Sequence, residues 1–448
     1  MVVKAASRHR GHAPRLSSPA LASRNVALDI LAAVLDRGRP LDDALDDALD
    51  RTDLEPRDRG FARVLATATL RRIGQIDDAL GRMIDRQMPL KPAAMMNLLR
   101  LGAVQLLFLD VPAHAAVATA VDLADAIGLG RGKGMANAVL RRLSREGAEI
   151  VSSQDAARLN TAPWLWTRWI ETYGSAIARA ICTQHAAEPP LDLTLKPGED
   201  LAKWAETLGA AVLPTGTLRR PVGGRIEDLP GFAEGVWWVQ DAAAALPARL
   251  LGNVAGKVVF DLCAAPGGKT MQLAAAGAAV TAIDRSAARL AMVDSNLSRI
   301  GLSATSIAAD ALAWKPRGLA DAVLLDAPCT ATGTIRRHPD VQFAREPKDL
   351  AQLSGLQAAL LDRAVKLVRP GGLIVYCTCS LEREEGETQI ARALDRHTGL
   401  ARLPIAAGEI GDLAMLINPD GDLRTLPCHL AEQGGLDGFF AARLIRKE

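Results

Sequence analysis

The sequence predicts an α/β fold with a mostly parallel sheet in its C-terminal half, preceded by an all-helical region and a small α+β segment. Three observations carry this: apolar residues at helical spacing up to about residue 146, a mixed pattern from 150 to about 235, and, from 236 on, short apolar strands alternating with helices. At 448 residues with 49% apolar content, the chain has the material for two or three domains.

Residues 1 to 22 form a basic arm, since Lys4, Arg8, Arg10, Arg15 and then Arg24 all precede the first acidic residue, Asp29. The arm reads as a flexible tail, a grip on RNA phosphates or an organelle transit segment. In the helical region, 23 to 146, Val26, Ile30, Leu31 and Val34 set one apolar stripe. Leu41, Ala44, Leu45, Ala48 and Leu49 set a second, and Phe61, Val64, Leu65 and Ala68 a third. Loops are expected at 53 to 59 and 88 to 92, with Pro56, Pro89 and Pro92 as breakers or first-turn residues, and Gly128 suits the C-terminal cap of a helix over 113 to 127. The last helix, near 135 to 145, turns Met135, Val139, Leu140 and Leu143 inward. Its other face carries Arg141, Arg142 and Arg145, with Arg131 and Lys133 upstream, and either meets phosphate or is simply solvated.

In the middle region, 150 to 235, Trp164, Trp166 and Trp169 open a helix to Ile181, and Leu191, Leu193 and Leu195 mark a strand. The tryptophans are expected to anchor a core rather than stack bases. Residues 214 to 224 and Pro230-Gly231 read as turns. The third region, 236 to 448, has strand candidates at 258–261, 280–284, 304–310, 322–326 and 373–377, with helices at 270–276, 287–299 and 350–367. Such alternation requires a parallel sheet covered on both faces, with its sites at the strands' carboxyl ends.

Those ends hold the conspicuous residues. Cys263, Ala264, Ala265, Pro266, Gly267, Gly268 and Lys269 form a glycine turn into a helix, whose amides would face an electron-rich group. Asp284 ends the next strand and suits both ribose hydroxyls; Asp310 ends the third, where it or its neighbours would accept from an adenine amino group. The loop is not G-x-G-x-x-G and Pro266 precedes the glycine pair. A compact adenosyl ligand therefore fits better than a dinucleotide, and S-adenosylmethionine is the expected cofactor.

The cysteines narrow the chemistry further. A pyrimidine carbon has no lone pair to offer, so a thiolate must first add to C6 to make C5 nucleophilic, and must later be expelled. Cys329 follows Asp326-Ala327-Pro328 at the end of the fourth strand, in the place where amine methylases carry an aromatic; Cys379 lies in Tyr376-Cys377-Thr378-Cys379-Ser380 after the fifth. Asp326, protonated or sharing a proton, would hydrogen-bond the pyrimidine N3 edge. Spacing alone leaves open which thiol attacks. No metal is expected, because Cys377-x-Cys379 lacks a second pair and Cys428-His429 is an awkward ligand set.

These residues closely resemble the RNA cytosine-C5 methyltransferases of the bacterial RsmB (Sun/Fmu) type, within the wider Nop/Sun family. The matching segments are Cys263 to Lys269, Asp326 to Cys329 with the following Gly333-Thr334-Ile335-Arg336-Arg337-His338-Pro339-Asp340, Thr378-Cys379-Ser380, and Asp437-Gly438-Phe439-Phe440. Residues 23 to 146 are similar to the NusB-like RNA-binding domain of that branch. The resemblance implies a Rossmann-like class I methyltransferase fold, S-adenosylmethionine as donor, a cytosine in 16S ribosomal RNA as substrate and a cytoplasmic location. By position it makes Cys379 the nucleophile and Cys329 the residue that assists product release, and leaves Cys377 to packing. Arg336, Arg337 and His338 would position a phosphate or face solvent.

The net charge of +2 identifies no partner, and six cysteines without regular spacing fit free thiols in a reducing compartment. No apolar stretch approaches the roughly 20 residues of a spanning helix. A monomer that uses neither metal nor membrane is expected. Two other readings share the motifs: the same chemistry on transfer RNA, and an RNA-binding assembly factor that keeps the fold as a scaffold.

Overall fold

The computed structural model describes residues 19 to 84 and 93 to 447, which pack as two compact units dividing between Asn160 and Thr161. Lys4, Arg8, Arg10 and Arg15 of the basic arm and the loop expected at 88 to 92 lie outside the described residues. Among the described residues no helix is long and apolar enough to cross a membrane.

The first unit is helical: α1 (Pro19–Leu31), α2 (Leu41–Asp50), α3 (Pro56–Arg71), α4 (Ile73–Met83), α5 (Ala93–Leu107), α6 (Ala113–Ala126), α7 (Lys133–Ser153) and the single turn α8 (Ala156–Leu159). Its core gathers the predicted stripes, including Ile30, Leu31, Leu41, Leu45, Leu65, Leu140 and Leu143. Three details differ from expectation. The loop expected to 59 stops at Glu55, because Pro56 serves as first-turn residue of α3, where its missing N–H costs nothing. Val64 faces solvent rather than the core, which α3 fills with Ala62, Leu65 and Ala66. Finally, α7 runs on to Ser153 instead of closing near Arg145, with Gly147 on its buried face, and Met135 is only half-buried. Gly128, at φ 79°, follows the end of α6 as expected.

The second unit opens with α9 (Pro163–His185), in which Trp169 is buried and donates from Nε1 to Glu382 Oε1 at 3.0 Å. A four-stranded antiparallel sheet follows, in the order β2 (Ala211–Val212), β3 (Leu218–Arg220), β1 (Leu191–Leu195), β4 (Trp237–Val239), with α10 (Leu201–Leu208) between β1 and β2. The segment expected as turns at 214 to 224 thus contains β3. Arg219 draws it inward, since its guanidinium donates two hydrogen bonds of 2.7 Å to the buried Asp192 on β1.

After the single turn α11 (Leu246–Arg249) comes the large sheet, built from β5 (Val258–Leu262), β6 (Ala279–Asp284), β7 (Thr305–Ala308), β8 (Ala320–Asp326), β9 (Val368–Thr378), β10 (Leu400–Arg402), β11 (Leu423–Thr425) and β12 (Phe439–Arg446). Its order is β10-β12-β9-β8-β5-β6-β7, with β11 paired to β12; β5 to β9 run parallel and β12 lies antiparallel to β9. The helices α12 (Gly268–Ala275), α13 (Ala287–Ile300), α14 (Val341–Ala344), α15 (Pro347–Leu367) and α16 (Glu387–Arg396) connect the strands. This is a Rossmann-like fold with a helical region ahead of it. β7 stops two residues short of Asp310, which instead starts a turn: its Oδ1 accepts from Leu312 N and its carbonyl from Ala313 N and Trp314 N. Strand order reverses between β5 and β8, so the loops after these two strands flank the crevice where open α/β sheets bind ligands.

Candidate active site at the switch point of the sheet

The loop after β5 takes its shape from two backbone features. Cys263 has φ 62°, and Gly267 has φ 103°, which a side chain would resist. A Cβ on Gly267 would also stand 3.0 Å from Val293, so this glycine serves close packing on α13 as well as the turn. α12 starts at Gly268, its first helical bond running from Met271 N to Gly267 O. The amides of Gly268, Lys269 and Thr270 precede that bond at the positive end of the helix.

Beneath the loop, Asp261 is fully buried and receives Thr270 Oγ1 at 2.6 Å on Oδ2, while Oδ1 has no partner among the described residues. Burial pushes its pKa up to about 7, against the Thr270 hydrogen bond. Asp284 ends β6 as expected, buried, with Oδ1 accepting from Ser286 N at 2.9 Å and Oδ2 from Ala265 N at 3.3 Å. Asp310 is exposed. Burial, then the nearby Asp326, pushes the Cys263 thiol up to about 12.

The two predicted thiols meet. Cys329 Sγ and Cys379 Sγ are 3.4 Å apart, with Cys329 buried and Cys379 partly exposed. The hydrogen bond to Cys379, then burial, holds the Cys329 thiol well above its usual pKa. Cys377 is buried and donates weakly to Asp326 Oδ1 at 3.5 Å; burial raises its pKa strongly too. Asp326 ends β8 as expected, and Lys269 Nζ donates to its Oδ2 at 2.7 Å in an ion pair that the sequence did not announce. Although burial works against the ammonium, Asp326 together with the neighbouring Cys377 and Cys379 raises the Lys269 pKa.

The segment after Cys329 is braced rather than free. A Cβ on Gly333 would lie 1.9 Å from the Gly438 carbonyl oxygen, and the two glycines exchange backbone contact through Gly438 N to Gly333 O at 2.8 Å. Arg336 and Arg337 neither await phosphate nor face open solvent. Arg336 is 1% exposed and donates to Asp437 Oδ1 at 2.6 Å, Asp241 Oδ2 at 2.7 Å and Gly434 O at 2.6 Å. Arg337 donates to Asp241 Oδ2 at 2.7 Å and lies 3.3 Å from Asp437 Oδ2. The aspartates responsible, with Asp192, are far away in sequence. His338 is half-buried.

Sequence reasoning also missed Glu385. Fully buried, it accepts from Thr330 N at 3.0 Å and 3.2 Å, from the Thr330 hydroxyl, and from Gln357 Nε2 at 2.9 Å. Nothing in Leu381-Glu382-Arg383-Glu384-Glu385-Gly386-Glu387 distinguishes it from its acidic neighbours.

Residues 248–445 match the family model of the 16S rRNA methyltransferase RsmB/F, and residues 21–145 match that of the NusB family. Ribosomal RNA small subunit methyltransferase B of Pseudomonas syringae pv. tomato is 36% identical over 94% of this chain and 96% of its own length; that of Pseudomonas putida is 37% identical over 94% and 98%. The crystal structure of PH0851 aligns over 96% of this chain and 99% of its own with a TM-score of 0.76, at an identity of 23% that speaks for the fold alone. The chain therefore belongs to the RsmB/F family of 16S rRNA methyltransferases, with a NusB family domain at its N-terminal side.

Proposed function

We propose that this protein methylates C5 of a cytosine in 16S ribosomal RNA, with S-adenosylmethionine as donor and Cys379 as the nucleophile that adds to C6. The observation that carries this reading is the 3.4 Å approach of two thiols at the carboxyl ends of β8 and β9, one buried and one reachable. A methylase acting on an amine needs no such pair.

The loop after β5 fits an adenosyl cofactor. The orphaned Oδ1 of Asp261 is a buried acceptor in want of a donor, the α12 amides offer donors to a carboxylate, and Asp284 keeps lone pairs for hydroxyls at the end of β6. Cys263 to Lys269, with Asp284 and the turn at Asp310, would hold the ligand. When bound, S-adenosylmethionine supplies an electrophilic methyl group.

The remaining work falls to side chains. Cys379 adds to C6 and the ring's electron pair moves to C5; after methylation, loss of the C5 proton restores the double bond and expels the thiolate. Asp326, paired to Lys269, is an acceptor suited to the amino edge of cytosine, and the donor role expected of a protonated Asp326 passes to Lys269. Cys329, kept as a thiol, stands where its S–H can stabilise the departing Cys379 sulfur. The reading includes a monomer acting in the cytoplasm without a metal.

Two variants test it. Cys379→Ser should reduce turnover of 16S rRNA to background, and Cys329→Ala should accumulate an RNA-protein adduct that survives denaturing electrophoresis. Full turnover by Cys379→Ser would refute this assignment of the thiols.

A further inference from the structure

Directly behind the two thiols lies a hydrogen-bond chain that joins the segments carrying them. Thr330 follows Cys329 and Ser380 follows Cys379, and their hydroxyls are 3.2 Å apart. Thr332 Oγ1 accepts from Leu381 N at 3.0 Å and lies 3.4 Å from Ser380 Oγ, and Gly333 N donates to the Cys379 carbonyl at 3.0 Å. Ser380 Oγ also accepts from Glu382 N at 3.0 Å. Apart from Gly333 N, every one of these groups belongs to Cys379 itself or to a residue within three positions of Cys329 or Cys379, so a shift here bears on the sulfurs.

Glu385 fixes the sense of this chain. A carboxylate only accepts, so the single hydroxyl proton of Thr330 must point to Glu385, which leaves the Thr330 oxygen to accept from Ser380. The same carboxylate takes the Thr330 amide and the Gln357 side chain, giving it three donors in all. No cation pairs with Glu385 among the described residues. A carboxylate held at zero exposure by neutral donors is costly unless those bonds are all made.

We propose that Glu385 is a positioning residue that orients the Thr330–Ser380 bridge and thereby sets the distance between the Cys329 and Cys379 sulfurs. The consequence for the reaction rests on the function proposed above, but the geometric part does not. Glu385→Gln would face three donors with one acceptor oxygen and an amide that is itself a donor. One donor must then turn away, and where it is the Thr330 hydroxyl the sense of its bridge to Ser380 reverses, which disturbs the link between the two cysteine segments.

The first measurement needs no RNA. In the free full-length protein, diamide removes the two thiol hydrogens with their electrons and leaves a sulfur–sulfur bond, and peptide mass mapping gives the rate at which Cys329 and Cys379 become linked. Glu385→Gln and Thr330→Val should each slow this by about tenfold, while Thr330→Ser, which keeps both donors, should stay within about twofold of the parent. The second measurement is catalytic: Glu385→Gln should lower kcat by about 100-fold with an unchanged KM for S-adenosylmethionine, and accumulate the denaturation-resistant adduct expected of Cys329→Ala.

If Glu385→Gln does not fold, Thr330→Val carries both measurements. Parental linking rates in the variants, or an unchanged kcat in folded Glu385→Gln, overturn the proposal. Slowed linking with no adduct in any variant, Cys329→Ala included, keeps the positioning role and overturns the covalent mechanism instead.

Discussion

Two pairs of adjacent arginines, Arg141-Arg142 on α7 and Arg336-Arg337 after Cys329, look alike in the sequence and meet opposite fates. On α7 both side chains are exposed and engaged locally: Arg141 with Asn137 at 2.9 Å, and Arg142 with Glu146 at 3.0 Å, each one helical turn away. Arg336 and Arg337 are enclosed by Asp192, Asp241 and Asp437, contributed from β1, the loop after β4 and the loop before β12. In the buried cluster, Arg337 and Arg336 hold Asp241 ionised far below the usual carboxylate range despite its burial. A local motif thus sets what a guanidinium can do, while distant residues decide whether it is a solvent-facing cation or part of the framework that braces the loop after Cys329.

The largest effect should come from breaking the buried cluster. Arg336→Ala leaves Asp241 and Asp437 underpaired and Gly434 O without its donor, and a loss of about 3–5 kcal/mol of stability is expected in urea denaturation of the full chain. Arg336→Lys should rescue little, because one ammonium cannot reach three acceptors laid out for a planar fork. A loss below about 1 kcal/mol would mean that the cluster is no more structural than a surface pair.

The same contrast explains what the sequence disclosed. β5, β6 and β8 lie within two residues of the predicted spans because buried parallel strands are short apolar runs with clear ends, and the residues at those ends, Asp284, Asp326 and Cys329, came with them. Properties set by pairing across the fold were not legible. Asp310 looked like a strand end until its turn bonds were seen, β3 was hidden in Pro- and Gly-rich sequence until Arg219 met Asp192, and Glu385 was one acid among four. Arg336 and Arg337 read as phosphate ligands or solvent-facing cations because nothing near them in the chain announces Asp241 or Asp437.

An intermediate effect should sharpen the comparison through pH. His185, at the end of α9, is buried with Nε2 unpartnered among the described residues and its ring 5.4 Å from Trp169. Burial first, then the positive charge of Arg336, pushes its pKa down to about 3. An unfolded histidine titrates near 6.5, so below that pH the unfolded chain binds a proton that the native state refuses. The His185 contribution is therefore fully present above about pH 6.5 and is lost by about 1.4 kcal/mol per pH unit as pH falls toward 3. Comparing urea midpoints at pH 7.5 and pH 5, His185→Phe should lose about 2 kcal/mol less on acidification than the parent. Equal losses would show that the native state does not hold His185 neutral, by burial or by the charge of Arg336.

The smallest effect on stability should come from the exposed pair. Arg141→Ala combined with Arg142→Ala removes only local partners in solvent, so the urea midpoint should not move measurably. Affinity is the discriminating quantity, because a guanidinium that pairs only with a helical neighbour is free to exchange that neighbour for a phosphate and release a counterion. The slope of log affinity for 16S rRNA against log salt should fall by about one unit for each arginine that contacts a phosphate. A shifted slope with an unmoved midpoint is the inverse of the Arg336→Ala outcome, in which the fold weakens first. An unmoved slope would reduce α7 to a solvated face and leave RNA contact to other cations of the chain.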